Sequence, residues 1–301
     1  MQIIKQILLI ANYIKRLLNL YIKTKLNLMR LFSNNGFQKH YQKVRERIDT
    51  TIGEGVSPSN KKLSEWWNNK IEYLDPNTFV YIYDLKANSV YRSAGFSILG
   101  KPDSWTFNSP EYVALFHENQ QLMIPYKSLM LFELLLEHHQ LIKESELIFS
   151  SNRGIKGANG EYLLVNQSAS SIQFDENGYT TKYFNSYRVV GPYNGEPFTS
   201  IVYSTKPNTK IDKILDDIKK KNRHNILEIM GFSKKEQLVI KAIADNQDLK
   251  AKEIGDLLDK AAKTVKNHQA NIFNKAKELF PLNDFQNARD VVKYLKLQDI
   301  V

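Results

Sequence analysis

Apolar residues between positions 232 and 295 recur with the period of short helices, and polar breaks divide them. From Lys234 to Ala244 the pattern predicts a helix with Leu238, Val239, Ala242 and Ile243 on its buried side. Ser233, followed three residues later by Glu236, forms a capping box that starts it. After the polar break Asp245-Asn246-Gln247-Asp248, a second amphipathic run carries Ala251, Ile254, Leu257 and Leu258. A third helix, Ala262 to Ala276, buries Val265, Ile272 and Ala276, and turns Lys263, Lys266, Asn267, Ala270 and Lys277 outward. The outward side offers cations for phosphates, an amide for base edges, and a small residue where close approach is needed.

Upstream, alternation replaces the helical period. Thr78 to Asp84 and Ser89 to Arg92 read as two strands joined by a turn at Lys86-Ala87-Asn88. Helices are predicted over Glu111 to Met123 and Tyr126 to His139. Strands return over Glu146 to Lys156, Tyr162 to Phe174, Tyr179 to Val190 and Phe198 to Ser204. Asn159-Gly160 and Asn177-Gly178 supply hairpin turns, and Gly191-Pro192-Tyr193-Asn194-Gly195 reads as a break before the last strand. The polar, Gly- and Ser-punctuated stretch Asn34 to Asp75 predicts a linker and then a helix near Lys61 to Tyr73, anchored on the next domain by Trp66 and Trp67. Beyond Pro207, the apolar stripe Ile211, Ile214, Leu215 and Ile218 covers barely two turns, too short to be a stable coiled coil alone.

Residues 1–32 carry six Lys or Arg and no acid. Charges interrupt every apolar window of spanning length, so no transmembrane helix is expected there. Wound as a helix, Ile3, Ile7, Ile10, Ile14, Leu17 and Tyr21 oppose Lys5, Asn12, Arg16, Asn19, Lys23 and Arg30, with Lys15 and Lys25 off the pattern. A basic amphipathic helix of this kind suits packing within the chain or a dimer, or contact with a membrane surface; an extension upstream of the true start is a third reading.

Charge sharpens this picture. The 301 residues carry a net +10, yet residues 76–205 are mildly acidic, with twelve acids against nine Lys or Arg. The positive excess lies at the two ends and in the connector, and favours polyanionic partners. The absence of cysteine excludes disulfides, thiolate metal sites, a cysteine nucleophile and a flavin–cysteinyl adduct, and is compatible with a reducing cytoplasm. No HExxH, GxxxxGK[ST] or GxGxxG string occurs. Ser168 to Ser171 lies in a strand without a nucleophile elbow, and the adjacent His138 and His139 diverge by about 100° on a helix. No catalytic or metal-binding residue is assigned, and no cofactor is predicted.

Several strings agree in order and separation with one family. Ser233-Lys234-Lys235-Glu236, Lys252-Glu253-Ile254, and Lys263-Thr264-Val265-Lys266-Asn267-His268 followed by Asn271-Ile272 and Lys275 resemble the LuxR-type helix-turn-helix. The resemblance covers roughly residues 232–295 and implies a fourth helix, Asp284 to Leu295, with Ala288, Val291, Val292 and Leu295 inward. The chain departs from the family at Asn246, where a glycine is usual and where Asn also tolerates a left-handed backbone, at Ala276, and in a longer linker Glu278 to Leu282. The resemblance implies binding of double-stranded DNA: Lys266 and Asn267 reading base edges, Ala270 allowing approach, Lys250, Lys252, Lys263 and Thr264 holding phosphates, and Asn271 beside them.

The order of two strands, a helical block and three long antiparallel strands is similar to the PAS sensor fold, in which a five-stranded sheet and its helices enclose a pocket. Gly157 to Leu164 resembles that family's DGEYRW-type hairpin. The fold class expected is therefore α+β and multidomain: a PAS-like antiparallel sheet with helices, followed by an all-α, four-helix helix-turn-helix. Its parts would be a basic helix (1–33), a linker and helix (34–75), a PAS-like sensor (76–205), a connector helix (206–230) and a DNA-binding head (231–301). Tyr81, Tyr83, Phe96, Trp105, Phe116 and Phe132 either fill the pocket or line it around a small organic ligand; His117, His138 and His139 are poor haem ligands. The expected protein is a cytoplasmic, homodimeric transcriptional regulator. The alternative is an interaction module held to a membrane surface by its N-terminal helix.

Overall fold

The computed structural model describes residues 35–107, 109–121, 123–205, 226–280, 283–298 and 300–301. The basic segment expected over 1–33 and most of the connector expected over 206–230 lie outside the described residues.

The chain enters through α1 (Asn35–Thr51) and α2 (Asn60–Glu72). The strands β1 (Thr78–Asp84) and β2 (Ser89–Ala94) follow, then a 3-10 turn at Phe96–Leu99. The helical block comprises α3 (Ser109–Ala114), α4 (Glu118–Gln121), α5 (Met123–Glu137) and α6 (His139–Ser145). The remaining strands are β3 (Leu147–Lys156), β4 (Tyr162–Phe174), β5 (Thr180–Pro192) and β6 (Ser200–Ser204). They form one six-stranded antiparallel sheet in the order β2-β1-β5-β4-β3-β6. The PAS-like arrangement expected from element order is thus present as a sheet with helices, widened by β6 along β3.

Because successive strand residues point to opposite faces, β1 divides its side chains between two cores. Phe79 and Tyr81 enter a cluster with Phe96, Phe116 and Tyr187. Val80 and Ile82 point the other way, onto Leu63 and Trp67 of α2. Trp66 meets Phe184 edge-on at 5.1 Å, so the tryptophan pair does anchor α2 to the sheet. Ser59 caps that helix through Lys62 N.

Three expectations change here. The stretch read as linker after Asn34 contains α1, whose Phe37, Val44 and Ile48, with Ile52 just beyond it, are buried in one cluster with α5 residues Met123, Tyr126 and Leu129. Each such side chain contributes about 1.5–3 kcal/mol, enough to order a helix of poor intrinsic hydrophobicity. The helix expected from Glu111 to Met123 is broken at Leu115–His117, where the backbone pairs with β3. His117 N donates to Gly154 O at 2.8 Å, and Lys156 N to Leu115 O at 2.8 Å. Nor do Gly191 and Pro192 break β5; they pair opposite Leu164 and Leu163, because proline at a strand's last residue leaves the interior ladder intact.

The carboxy-terminal unit resumes with a helical turn at 226–229, then α7 (Lys234–Asp245), α8 (Ala251–Leu258), α9 (Ala262–Leu279) and α10 (Ala288–Leu297). Its core is apolar: Val239, Ile240, Ile243, Ile254, Val265, Ile272, Ala276, Val291, Val292 and Leu295 are all buried. Leu238 and Leu257, expected inside, are 52% and 66% exposed. The buried face of α7 includes Ile240 instead, about 160° around the helix from Leu238.

Candidate nucleic-acid interface and sheet cavity

The capping box at the start of α7 is present in both directions: Glu236 N donates to Ser233 Oγ at 3.3 Å, and Ser233 N to Glu236 Oε2 at 2.7 Å. That carboxylate also takes a bond from Lys275 Nζ at 2.7 Å, and the same ammonium reaches Gly231 O at 2.9 Å. Lys275 thereby fixes α9 against the start of α7. Burial pushes the Glu236 carboxyl upward, but the Lys275 and Ser233 hydrogen bonds outweigh it and hold it below the ordinary value of 4.5.

The turns that aim α9 were partly misread. Asn246 is extended (φ −147°), and its side-chain oxygen accepts from Asp248 N at 3.1 Å, so an Asx-type turn replaces the left-handed residue expected there. The left-handed residue is Asp259 (φ 51°), which ends α8. Lys260 N then donates to Gly255 O at 2.8 Å, and a Cβ on Gly255 would stand 2.4 Å from Lys260 O. Gly255 is therefore required by the tight α8–α9 turn, a requirement with no local signal in sequence. At the far end, α10 starts at Ala288 rather than near Asp284. Asn287 caps it through Arg289 N and Asp290 N. Lys296 Nζ donates to Ala244 O and Arg289 Nη2 to Leu249 O, both at 2.8 Å, which ties α10 to the α7–α8 turn.

On this frame α9 sorts its residues cleanly. Val265, Ile272 and Ala276 have 0% exposure. Lys263, Lys266, Asn267, Ala270 and Asn271 are exposed along the opposite side, with Thr264 half-buried at their edge. Lys250 and Lys252 are exposed at the start of α8. Among the described residues, no hydrogen bond or ion pair holds the side chains of Lys263, Lys266, Asn267 or Asn271. A row of free donors on a rigid helix is the arrangement that can meet a phosphate backbone and base edges without first breaking internal bonds.

The other unit holds a partly open cavity of about 160 Å³ between the sheet face and α5. Tyr81, Tyr112 and Tyr183 separate it from a smaller one of about 90 Å³, which Tyr83 and Phe132 also line. Phe96, Trp105 and Phe116 pack in the core instead. None of His117, His138 or His139 lines either space. The sequence reading missed the polar floor of the larger cavity. Arg153 Nε donates to Ser151 Oγ (2.9 Å), Ser151 Oγ to Gln167 Oε1 (2.8 Å), and Gln167 Nε2 to Asn185 Oδ1 (2.7 Å). All four sit on inward strand positions where alternation alone predicts apolar side chains, and that violation was the available signal. Among the described residues, no three His, Asp or Glu side chains cluster as a metal site, and no helix is long and apolar enough to cross a membrane.

Comparison with known proteins bears on the two units unequally. No curated protein matches the chain in sequence. Among solved structures, phage VqmA in complex with DPO is similar at 11% identity, with 79% of this chain and 91% of that chain covered and a TM-score of 0.26. Escherichia coli SdiA is similar at 11% identity over 93% and 98%, with a TM-score of 0.22. The N-terminal domain of a Marinobacter aquaeolei diguanylate cyclase with PAS/PAC sensor is similar at 9% identity over 38% and 95%, with a TM-score of 0.29. At these scores nothing about ligands or residues transfers from the three. The sequence match is more local: residues 230–277 match the luxR family of bacterial regulatory proteins. The helices that present Lys263, Lys266 and Asn267 to solvent are a LuxR-type helix-turn-helix domain.

Proposed function

We propose that the chain is a transcriptional regulator that binds double-stranded DNA sequence-specifically through α9, under the control of a small molecule held by the sheet unit. One observation carries this reading: α9 buries Val265, Ile272 and Ala276 completely while leaving Lys263, Lys266, Asn267, Ala270 and Asn271 exposed and unengaged. Lys266 and Asn267 read base edges in the major groove. Ala270 lets the backbone approach, Asn271 extends the polar row, and Lys250, Lys252, Lys263 and Thr264 hold phosphates. A homodimer presents two such helices to paired half-sites about one helical turn apart. Ligand binding shifts the population between DNA-competent and DNA-incompetent arrangements. Ile226, which leads into the head, forms part of the larger cavity's wall, and this supports a coupling between filling the cavity and the head. Neither catalysis nor a cofactor is part of the reading, and its setting is the cytoplasm.

Lys266→Ala and Asn267→Ala each weaken specific binding by about 1–3 kcal/mol in gel-shift titrations on a selected site, with circular-dichroism melts unchanged. Unaltered affinity for both variants would sink the assignment of α9 as the reading helix.

A further inference from the structure

Among the described residues, the larger cavity is lined by two cations, Arg153 and Lys127, and by no aspartate or glutamate. A buried guanidinium is ordinarily matched by a carboxylate, because burying an unpaired charge costs far more than burying a pair. Arg153 is only 9% exposed, and among the described residues no carboxylate lies within ion-pair distance of it. Its partners are neutral: Ser151 Oγ, Tyr112 OH at 3.1 Å and Tyr187 OH at 3.5 Å, with the rings of Phe116 and Phe198 each 5.3 Å from the guanidinium carbon. Nη2 makes no hydrogen bond to the described residues.

A second, independent observation points the same way. Asn185 is 1% exposed and lines the same cavity, and its Nδ2 has no hydrogen-bond partner. Its Oδ1 is already taken by Gln167, so the chain Arg153–Ser151–Gln167–Asn185 ends in an unused donor. A buried donor without an acceptor, next to a guanidinium whose Nη2 has no hydrogen bond among the described residues, is costly unless something supplies an acceptor. The remaining wall is apolar and aromatic, including Met130, Leu134, Phe149 and Phe198. A volume of about 160 Å³ is close to the ~150 Å³ of an apolar cavity that accepts benzene.

We propose that this cavity binds a small organic anion: a carboxylate on a single-ring apolar body, its oxygens on Arg153 and Asn185 and its ring among Met130, Leu134, Phe149 and Phe198. This rests on the sheet unit being the sensor, and it names the chemical class sensed. The test uses the full chain without DNA, so loss of DNA binding by the regulator would leave its outcome unaffected. Benzoate and phenylacetate are titrated by calorimetry and melting, against benzamide and phenylacetamide as neutral counterparts of the same shape. At least one carboxylate binds and raises the melting temperature while its amide does not. Arg153→Gln weakens that binding by about thirtyfold or more, and Asn185→Leu weakens it less. Should Arg153→Gln fail to fold, the comparison of acid with amide on the unaltered protein still decides. Amides binding as tightly as acids, or neither acid binding, overturns the proposal.

Discussion

The sheet unit and the carboxy-terminal head handle positive charge in opposite ways. The head keeps Lys250, Lys252, Lys263 and Lys266 in water and fills its interior with mostly apolar side chains. The sheet unit takes Arg153 inside, surrounds it with hydroxyls and aromatic rings, and leaves a space beside it. Exposed cations cost little to keep, act on a polyanion at a distance, and are weakened by salt. A buried cation acts only at contact, and its hydration has already been removed, so a matching acceptor gains most of the interaction. On the proposed reading, the same charge type serves long-range attraction to a polymer in one half and selection of a small molecule in the other.

The sharpest way to separate the two halves is to damage one core. Ile272→Ala, at a fully buried position, should destabilise the head by about 2–5 kcal/mol and abolish DNA binding. Denaturant titration should then show the sheet unit's transition unmoved. A single shifted transition would mean that the halves unfold as one. Gly255→Ala forces a Cβ toward Lys260 O, and a cost of about 1–3 kcal/mol is expected, read as an earlier thermal transition of the head. An unchanged melt would show that the α8–α9 turn relaxes freely.

Surface charge should behave differently. Lys250→Ala and Lys252→Ala should leave stability alone and each reduce the slope of log affinity against log salt by about 1, measured by fluorescence anisotropy on specific and random duplexes alike. A loss confined to the specific duplex would move these residues from phosphate holding to base reading.

The smallest effect expected is linked to pH. The Glu236 carboxyl lies below its ordinary value in the folded head, so it contributes stability above the unfolded-state value that is lost as pH falls through the lower folded one. Melts of the head should decline through this acid window in the native protein. In Glu236→Gln that part of the decline should be absent, and the same slope in both proteins would remove the Lys275–Glu236 contact from the account.

The head was legible because its signals are local. The capping box Ser233–Glu236, the spacing of Val265, Ile272 and Ala276, and the run Lys263 to His268 each lie within a few helical turns, and each appears where expected. Errors arose where position around a helix depends on neighbours. Leu238 was expected inside by character alone, and Gly255 passed unremarked because its constraint comes from Lys260 O across a turn. In the sheet unit, α1 carried a readable stripe at Phe37, Val44 and Ile48, but polar intervening residues hid it.

Sequence by itself determined the strands, the hairpin turns at Gly160 and Gly178, the helices of the head and the residues α9 presents, because period, capping and left-handed glycines are short-range properties. Tertiary structure alone decided that Ser151, Arg153, Gln167 and Asn185 share one inner face and line a cavity that has no carboxylate among the described residues. These four are spread over three strands, and strand register, not distance along the chain, sets which side chains meet.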